Sequence, residues 1–215
     1  MNFTRNTGKK LLTALILTQG LFLPISSAAA SEYNQPIQQE SVSTQQREYL
    51  NNAVYFNQAE EPYRNYPYGD GEFGTIINTG CGPTVMAMAA STLLDKNISP
   101  IEMADLSAKT GNIMPGNNGT LWQFFFDAAD QYGLKATATN SRDEVVKALK
   151  EGKLVVNSVN SSMGGYWTQY GHFILLTDEV DGQIAVNDPA YRSKSNLYSE
   201  EMVFGPSKQM WIIEK

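Results

Sequence analysis

The chain has 215 residues, 42% hydrophobic and 11% aromatic, which is enough apolar matter to bury a core and excludes wholesale disorder. Its net charge of −6 argues against a nucleic-acid partner, because phosphate binding needs a basic face. One Cys and one His exclude an internal disulfide and a Cys/His zinc cluster, and no phosphate loop or nucleotide fingerprint is present, so neither a metal nor a cofactor is expected.

Residues 1–30 read as a secretory signal peptide. Arg5, Lys9 and Lys10 make a charged start, Leu11 to Pro24 is an interrupted apolar stretch, and Ala28-Ala29-Ala30 offers a cleavage site before Ser31. The stretch is too short for a spanning helix, and no Cys follows it to carry a lipid, so no stable membrane anchor is expected after its removal. Removal takes away three positive charges and leaves the mature chain at −9, destined for the cell exterior or the cell wall. Residues 31–51 are Gln-rich and poor in core residues, and read as a mobile arm or linker. The globular unit is then 52–215, the size of one domain.

Four helices follow from start and stop signals. Pro83 opens an Ala/Met-rich run from Thr84 to Leu94. Capping boxes at Ser99-Pro100-Ile101-Glu102, Thr120-Leu121-Trp122-Gln123 and Ser141-Arg142-Asp143-Glu144 start three more, ending near Gly111, Gly133 and Gly152. Short β-type runs lie at Leu134–Ala138, Leu154–Val159, His172–Val180, Gln183–Asn187 and Met210–Ile213. Asp181-Gly182 marks a hairpin between the third and fourth. Helices first and antiparallel strands later make an α+β domain. The loop 160–170, with Tyr166, Trp167 and Tyr170, has the composition of a cleft lining or of a plain connection.

The candidate chemistry starts from the two unique residues. Cys81 stands immediately before a helix, where unsatisfied N–H groups favour a thiolate over a thiol. Gly80 and Gly82 remove bulk on both sides of it, so a substrate backbone can approach. The bland alternative is a small buried core cysteine. His172, after Gly171 and at the mouth of an apolar strand, suits a general base, or is simply a hydrogen-bonded structural histidine. Cys–His catalysis needs one thiol at a helix start and one imidazole on a distant strand, and the chain offers one of each. A third group must orient the imidazole, and Asn187 and Asp188 both qualify. A two-residue turn at Asp181-Gly182 puts His172 on the side of Asn187, while a single bulge puts it on the side of Asp188. Gln58, in Tyr55-Phe56-Asn57-Gln58, is a candidate second donor to an oxyanion beside the Cys81 N–H.

These segments resemble the bacteriocin-processing (double-glycine) peptidase-like family of papain-like cysteine peptidases. The resemblance is carried by Tyr55-Phe56-Asn57-Gln58, Gly80-Cys81-Gly82-Pro83-Thr84, Gly171-His172-Phe173-Ile174-Leu175 and Val186-Asn187-Asp188-Pro189, in that order over roughly 52–213. It implies a papain-like fold, with Cys81 as nucleophile, His172 as general base and acid, Asp188 as the orienting acid and Gln58 as an oxyanion donor. Gly80, Gly82, Gly171 and Trp167 are the expected substrate-binding positions. The best-known members are fused to export transporters, whereas this chain shows no transporter segment, so a free-standing secreted peptidase acting on a peptide or protein is the leading expectation. Cell-wall peptide hydrolysis, deamidation and acyl transfer use the same Cys–His logic. A secreted binding module that keeps the fold without turnover is the non-enzymatic alternative.

Overall fold

The structure, a computed structural model, describes residues 52–215. The expected signal peptide, 1–30, and arm, 31–51, lie outside the described residues. In chain order the helices are α1 (Ile76–Thr79), α2 (Cys81–Leu94), α3 (Pro100–Lys109), α4 (Phe124–Gln131), α5 (Arg142–Lys150) and α6 (Glu200–Phe204). The strands are β1 (Lys135–Thr139), β2 (Leu154–Asn160), β3 (Gly171–Val180), β4 (Gln183–Asn187), β5 (Asn196–Ser199) and β6 (Ser207–Glu214). They form one antiparallel sheet in the order β1-β6-β2-β3-β4-β5.

The helix α2 is buried from Gly82 through Ser91, on every face. A helix without a polar side belongs inside a protein, and its small Ala and flexible Met side chains let it lie close to the sheet. Met86, Met88, Phe124, Phe125, Val156, Phe173, Leu175 and Trp211 form the core between α2, α4 and one sheet face. The other face carries Val155, Ile174, Leu176, Ile184 and Val186, covered by Val145 and Leu149 of α5 and by Val203 and Phe204 of α6. Alternate residues of β2 and β3 therefore enter different cores, which is why Leu154–Val156 and Phe173–Leu176 read as unbroken apolar runs. Each fully buried side chain of this size contributes roughly 1.5–3 kcal/mol of transfer free energy.

Two of the three expected serine or threonine N-caps form. Ser99 Oγ accepts from Glu102 N at 3.2 Å, and Ser141 Oγ accepts from Glu144 N at 3.3 Å. The third does not: α4 begins at Phe124 after Gln123, and Thr120 instead hydrogen-bonds to the buried Tyr68 hydroxyl at 2.7 Å. A tertiary partner has taken the group that local sequence assigned to a cap. The β-run expected at Leu134–Ala138 is β1, between α4 and α5, and the C-terminal strand β6 lies between it and β2. The short elements α1, β5 and α6 were not anticipated; at four, four and five residues they are too brief for a periodic signal.

The hairpin turn is as expected. Val180 pairs with Gln183, and Asp181 and Gly182 have φ of 51° and 81°, the left-handed pair that a two-residue turn of this twist demands.

Candidate active site

Cys81 is the first residue of α2, half-buried, at the junction where the turn of α1 ends and the long helix begins. Gly80 accepts at its carbonyl from both the N–H and the hydroxyl of Thr84, at 3.1 and 2.8 Å, which fixes the first turn. The thiol therefore rides on the most deeply buried helix of the domain and cannot drift relative to the sheet.

His172 lies at the start of β3, across from Val159 of β2, and both line the cavity that contains Cys81. Its Nε2 is 3.0 Å from Asp188 Oδ1, with His172 9% and Asp188 0% exposed. The register explains this pairing. From Val180–Gln183 to Asp178–Ala185 the hairpin runs in step, and then Leu176 pairs with Val186 and Leu175 with Asn187. Thr177 is the extra residue of a β-bulge. The bulge shifts the count by one, so Asp188 shares the side of His172 and Asn187 takes the other.

Asp188 is held from several directions. Its Oδ1 also accepts from the N–H groups of Ala190 and Tyr191 at 2.8 and 3.0 Å. Its own N–H donates to Ser195 Oγ at 3.1 Å, and its carbonyl accepts from the Tyr55 hydroxyl at 2.8 Å. A carboxylate so held is a fixed negative charge beside the ring. Burial alone pushes the His172 imidazole down; the hydrogen bond to Asp188, then hydrogen bonding and charge from Cys81, override it and carry the group from 6.5 up to about 10. Both Asp188 and Cys81 thus favour the charged form of the His172 ring.

The cavity has a volume of about 410 Å³, large enough for a few residues of an extended peptide. Cys81, Gly171 and His172 line it. The other expected contacts fall elsewhere. Gly80 and Gly82 are demanded by packing: a Cβ on Gly80 would sit 2.7 Å from the Ile76 backbone, and one on Gly82 would sit 2.3 Å from Thr120 Oγ1. Trp167 is 1% exposed in the second core, donates its Nε1–H to the Met202 carbonyl at 2.9 Å, and packs against Tyr198. Its loop does reach the cavity, but through Tyr170. Gln58 is buried and lies outside the cavity lining; its amide donates to the carbonyls of Ile77 and Ile76 at 2.8 and 3.2 Å. The segment Tyr55–Gln58 thus acts as a brace, with Tyr55 on the Asp188 carbonyl and the Gln58 N–H on the Pro189 carbonyl at 2.8 Å.

Sequence reasoning missed much of the cavity wall, including Asn78, Met114, Asn117 to Gly119, Trp122 and Lys208. The run Pro115-Gly116-Asn117-Asn118-Gly119 did carry a loop signal. Asn117 clasps Asp70, accepting from its N–H at 2.5 Å and donating to its carbonyl at 2.6 Å.

A thiol at the start of a buried helix, facing an imidazole on an antiparallel sheet, is the layout of a papain-like cysteine peptidase. The chain belongs to the Peptidase C39 like family, whose sequence profile matches residues 50–212. Among solved structures, the peptidase domain of Streptococcus ComA, a bi-functional ABC transporter involved in quorum sensing, is 16% identical with a TM-score of 0.47, covering 63% of this chain and 90% of that one. A double-glycine-motif protease from an AMS/PCAT transporter, solved with its leader peptide, is 19% identical with a TM-score of 0.47, covering 75% of this chain and 90% of that one. A candidate C39-like peptidase from Bacillus anthracis is 16% identical with a TM-score of 0.48, covering 75% of this chain and 94% of that one. No curated protein matches the chain.

Proposed function

We propose that this chain is a secreted cysteine peptidase that hydrolyses peptide bonds through Cys81, His172 and Asp188. The observation that carries the reading is His172, clamped at 3.0 Å by a fully buried carboxylate while sharing one cavity with the only thiol. The Cys81 sulfur attacks the scissile carbonyl carbon, forming a C–S bond and moving an electron pair onto the oxygen. The Cys81 backbone N–H, one of the donors a helix start leaves free, faces that charge. Collapse breaks the C–N bond, and the imidazolium proton of His172 goes to the leaving amine. Water, deprotonated by His172, then attacks the thioester, and the C–S bond breaks to release the acid. Asp188 keeps the ring in one orientation throughout and stabilises its charged form.

Residues 1–30 support export, and the acidic mature chain would then work outside the cell. The test is a cleavage profile of the mature protein on a peptide library under reducing conditions. Replacing Cys81 by Ala is expected to abolish both turnover and labelling by a thiol-directed probe. Undiminished turnover in that variant would refute the assignment.

A further inference from the structure

Part of the cavity wall takes no part in the chemistry above. Lys208 lines it from β6 and Trp122 from the turn before α4. Lys208 arrives there through a break in strand pairing: Ser158 of β2 pairs with Gln209, but the next residue, Val159, pairs with Ser207. Lys208 is therefore the extra residue of a second β-bulge, outside the ladder, and bulges re-aim the side chains they carry.

The Lys208 Nζ lies 6.0 Å from the centroid of the Trp122 ring. That ring is backed by the buried Trp211, edge to face at 5.6 Å. An ammonium is attracted to an indole face, so the ring gives the lysine a preferred position over the cavity. Among the described residues, Lys208 is the only Lys or Arg lining the cavity, no Asp or Glu lines it, and no carboxylate lies within ion-pair distance of Lys208. This lone cation stands in a chain with a net charge of −6.

The geometry points to a carboxylate in the substrate: Lys208, turned into the cavity by the bulge and seated on Trp122, selects peptides carrying an acidic group near the bond presented to Cys81. The inference rests on the peptidase reading of the same cavity. The ammonium donates to the carboxylate, and the indole covers the adjoining methylene groups. Two sources share this chemistry, an acidic side chain and a free chain end.

The experiment uses peptides of one scaffold, blocked at both ends, with Glu scanned through the sequence, beside Gln twins and a Gln set with a free C-terminal carboxylate. Two quantities are measured: kcat/KM with the wild type, and equilibrium binding to Cys81→Ala, which needs no turnover. A preference of about threefold to fivefold for carboxylate over amide is expected at one position in both, weakening with salt. It should vanish in Lys208→Gln, invert in Lys208→Glu and survive in Lys208→Arg. Preference confined to the Glu set identifies a side chain, and preference confined to the free-end set identifies a terminus. Equal treatment of carboxylate and amide peptides by the wild type, or an unchanged preference in Lys208→Gln, overturns the inference. Selective binding without any cleavage upholds the carboxylate site and sinks the peptidase reading; cleavage without preference does the reverse.

Discussion

His172 is the only histidine in the chain, so its ring resonances in untagged protein can be followed through a titration without assignment. Asp188→Asn is the informative perturbation. It keeps the shape of the side chain and leaves an oxygen to accept from Ala190 and Tyr191, so the turn after β4 should survive. What disappears is the negative charge 3.0 Å from Nε2. Burial lowers the imidazole, and the hydrogen bond to Asp188 is the largest of the influences that raise it to about 10. With that influence gone, the group should titrate about one to three pH units lower, the usual effect of an opposite charge at contact. Cys81→Ala should lower it too, since hydrogen bonding and charge from the thiol are also among the causes. The assay is an NMR titration of the ring carbons, run beside kcat/KM for each variant. Loss of the orienting carboxylate should reduce turnover by up to about 10⁴-fold, the scale seen when an orienting carboxylate becomes an amide. If the wild-type ring titrates near 6.5, or if Asp188→Asn leaves its titration unmoved, the role given to Asp188 is wrong.

Other outcomes follow from the same geometry. Folding raises the His172 pKa, so its contribution to stability is fully present below pH 6.5 and disappears as pH climbs through about 10; urea unfolding across that range should show a smaller decline for Asp188→Asn than for the wild type. Gly82→Ala should destabilise by about 2–5 kcal/mol, because its methyl would meet Thr120 Oγ1 at 2.3 Å and Thr120 is tied to Tyr68, itself bonded to Ser107 at 2.8 Å. Pairing it with Thr120→Gly should recover most of that loss in chemical denaturation, whereas an intact Gly82→Ala fold with a raised KM would restore the substrate-approach role. Trp167→Ala should cost about 3–5 kcal/mol with KM unchanged in the surviving folded fraction; a KM effect at full stability would put that indole back in the cleft.

The legible parts of this molecule are those whose causes lie within a few residues. Ser99 and Ser141 cap their helices because the hydroxyl and the N–H it accepts from are three positions apart. Asp181-Gly182 makes its turn because both backbones adopt positive φ. Cys81 and His172 could be singled out because each is unique and each adjoins a clear element boundary. Thr120 shows where such reasoning stops: its pattern was right for a cap, and a tyrosine 52 positions away claimed its hydroxyl. Gly80 and Gly82 show the same limit, since a glycine required by a neighbouring helix turn or threonine looks in sequence like one left open for a substrate.

By itself the sequence determined the helix starts at Ser99 and Ser141, the hairpin and the pair of reactive groups, because capping and turn chemistry act locally. Two extra residues were left to the tertiary structure. The bulge at Thr177 turned Asp188 rather than Asn187 toward His172, and the bulge at Lys208 delivered a cation to the cavity. A bulge leaves no mark in either strand alone; it exists only in the pairing of two strands, where side chains on both faces of the sheet must find their places at once.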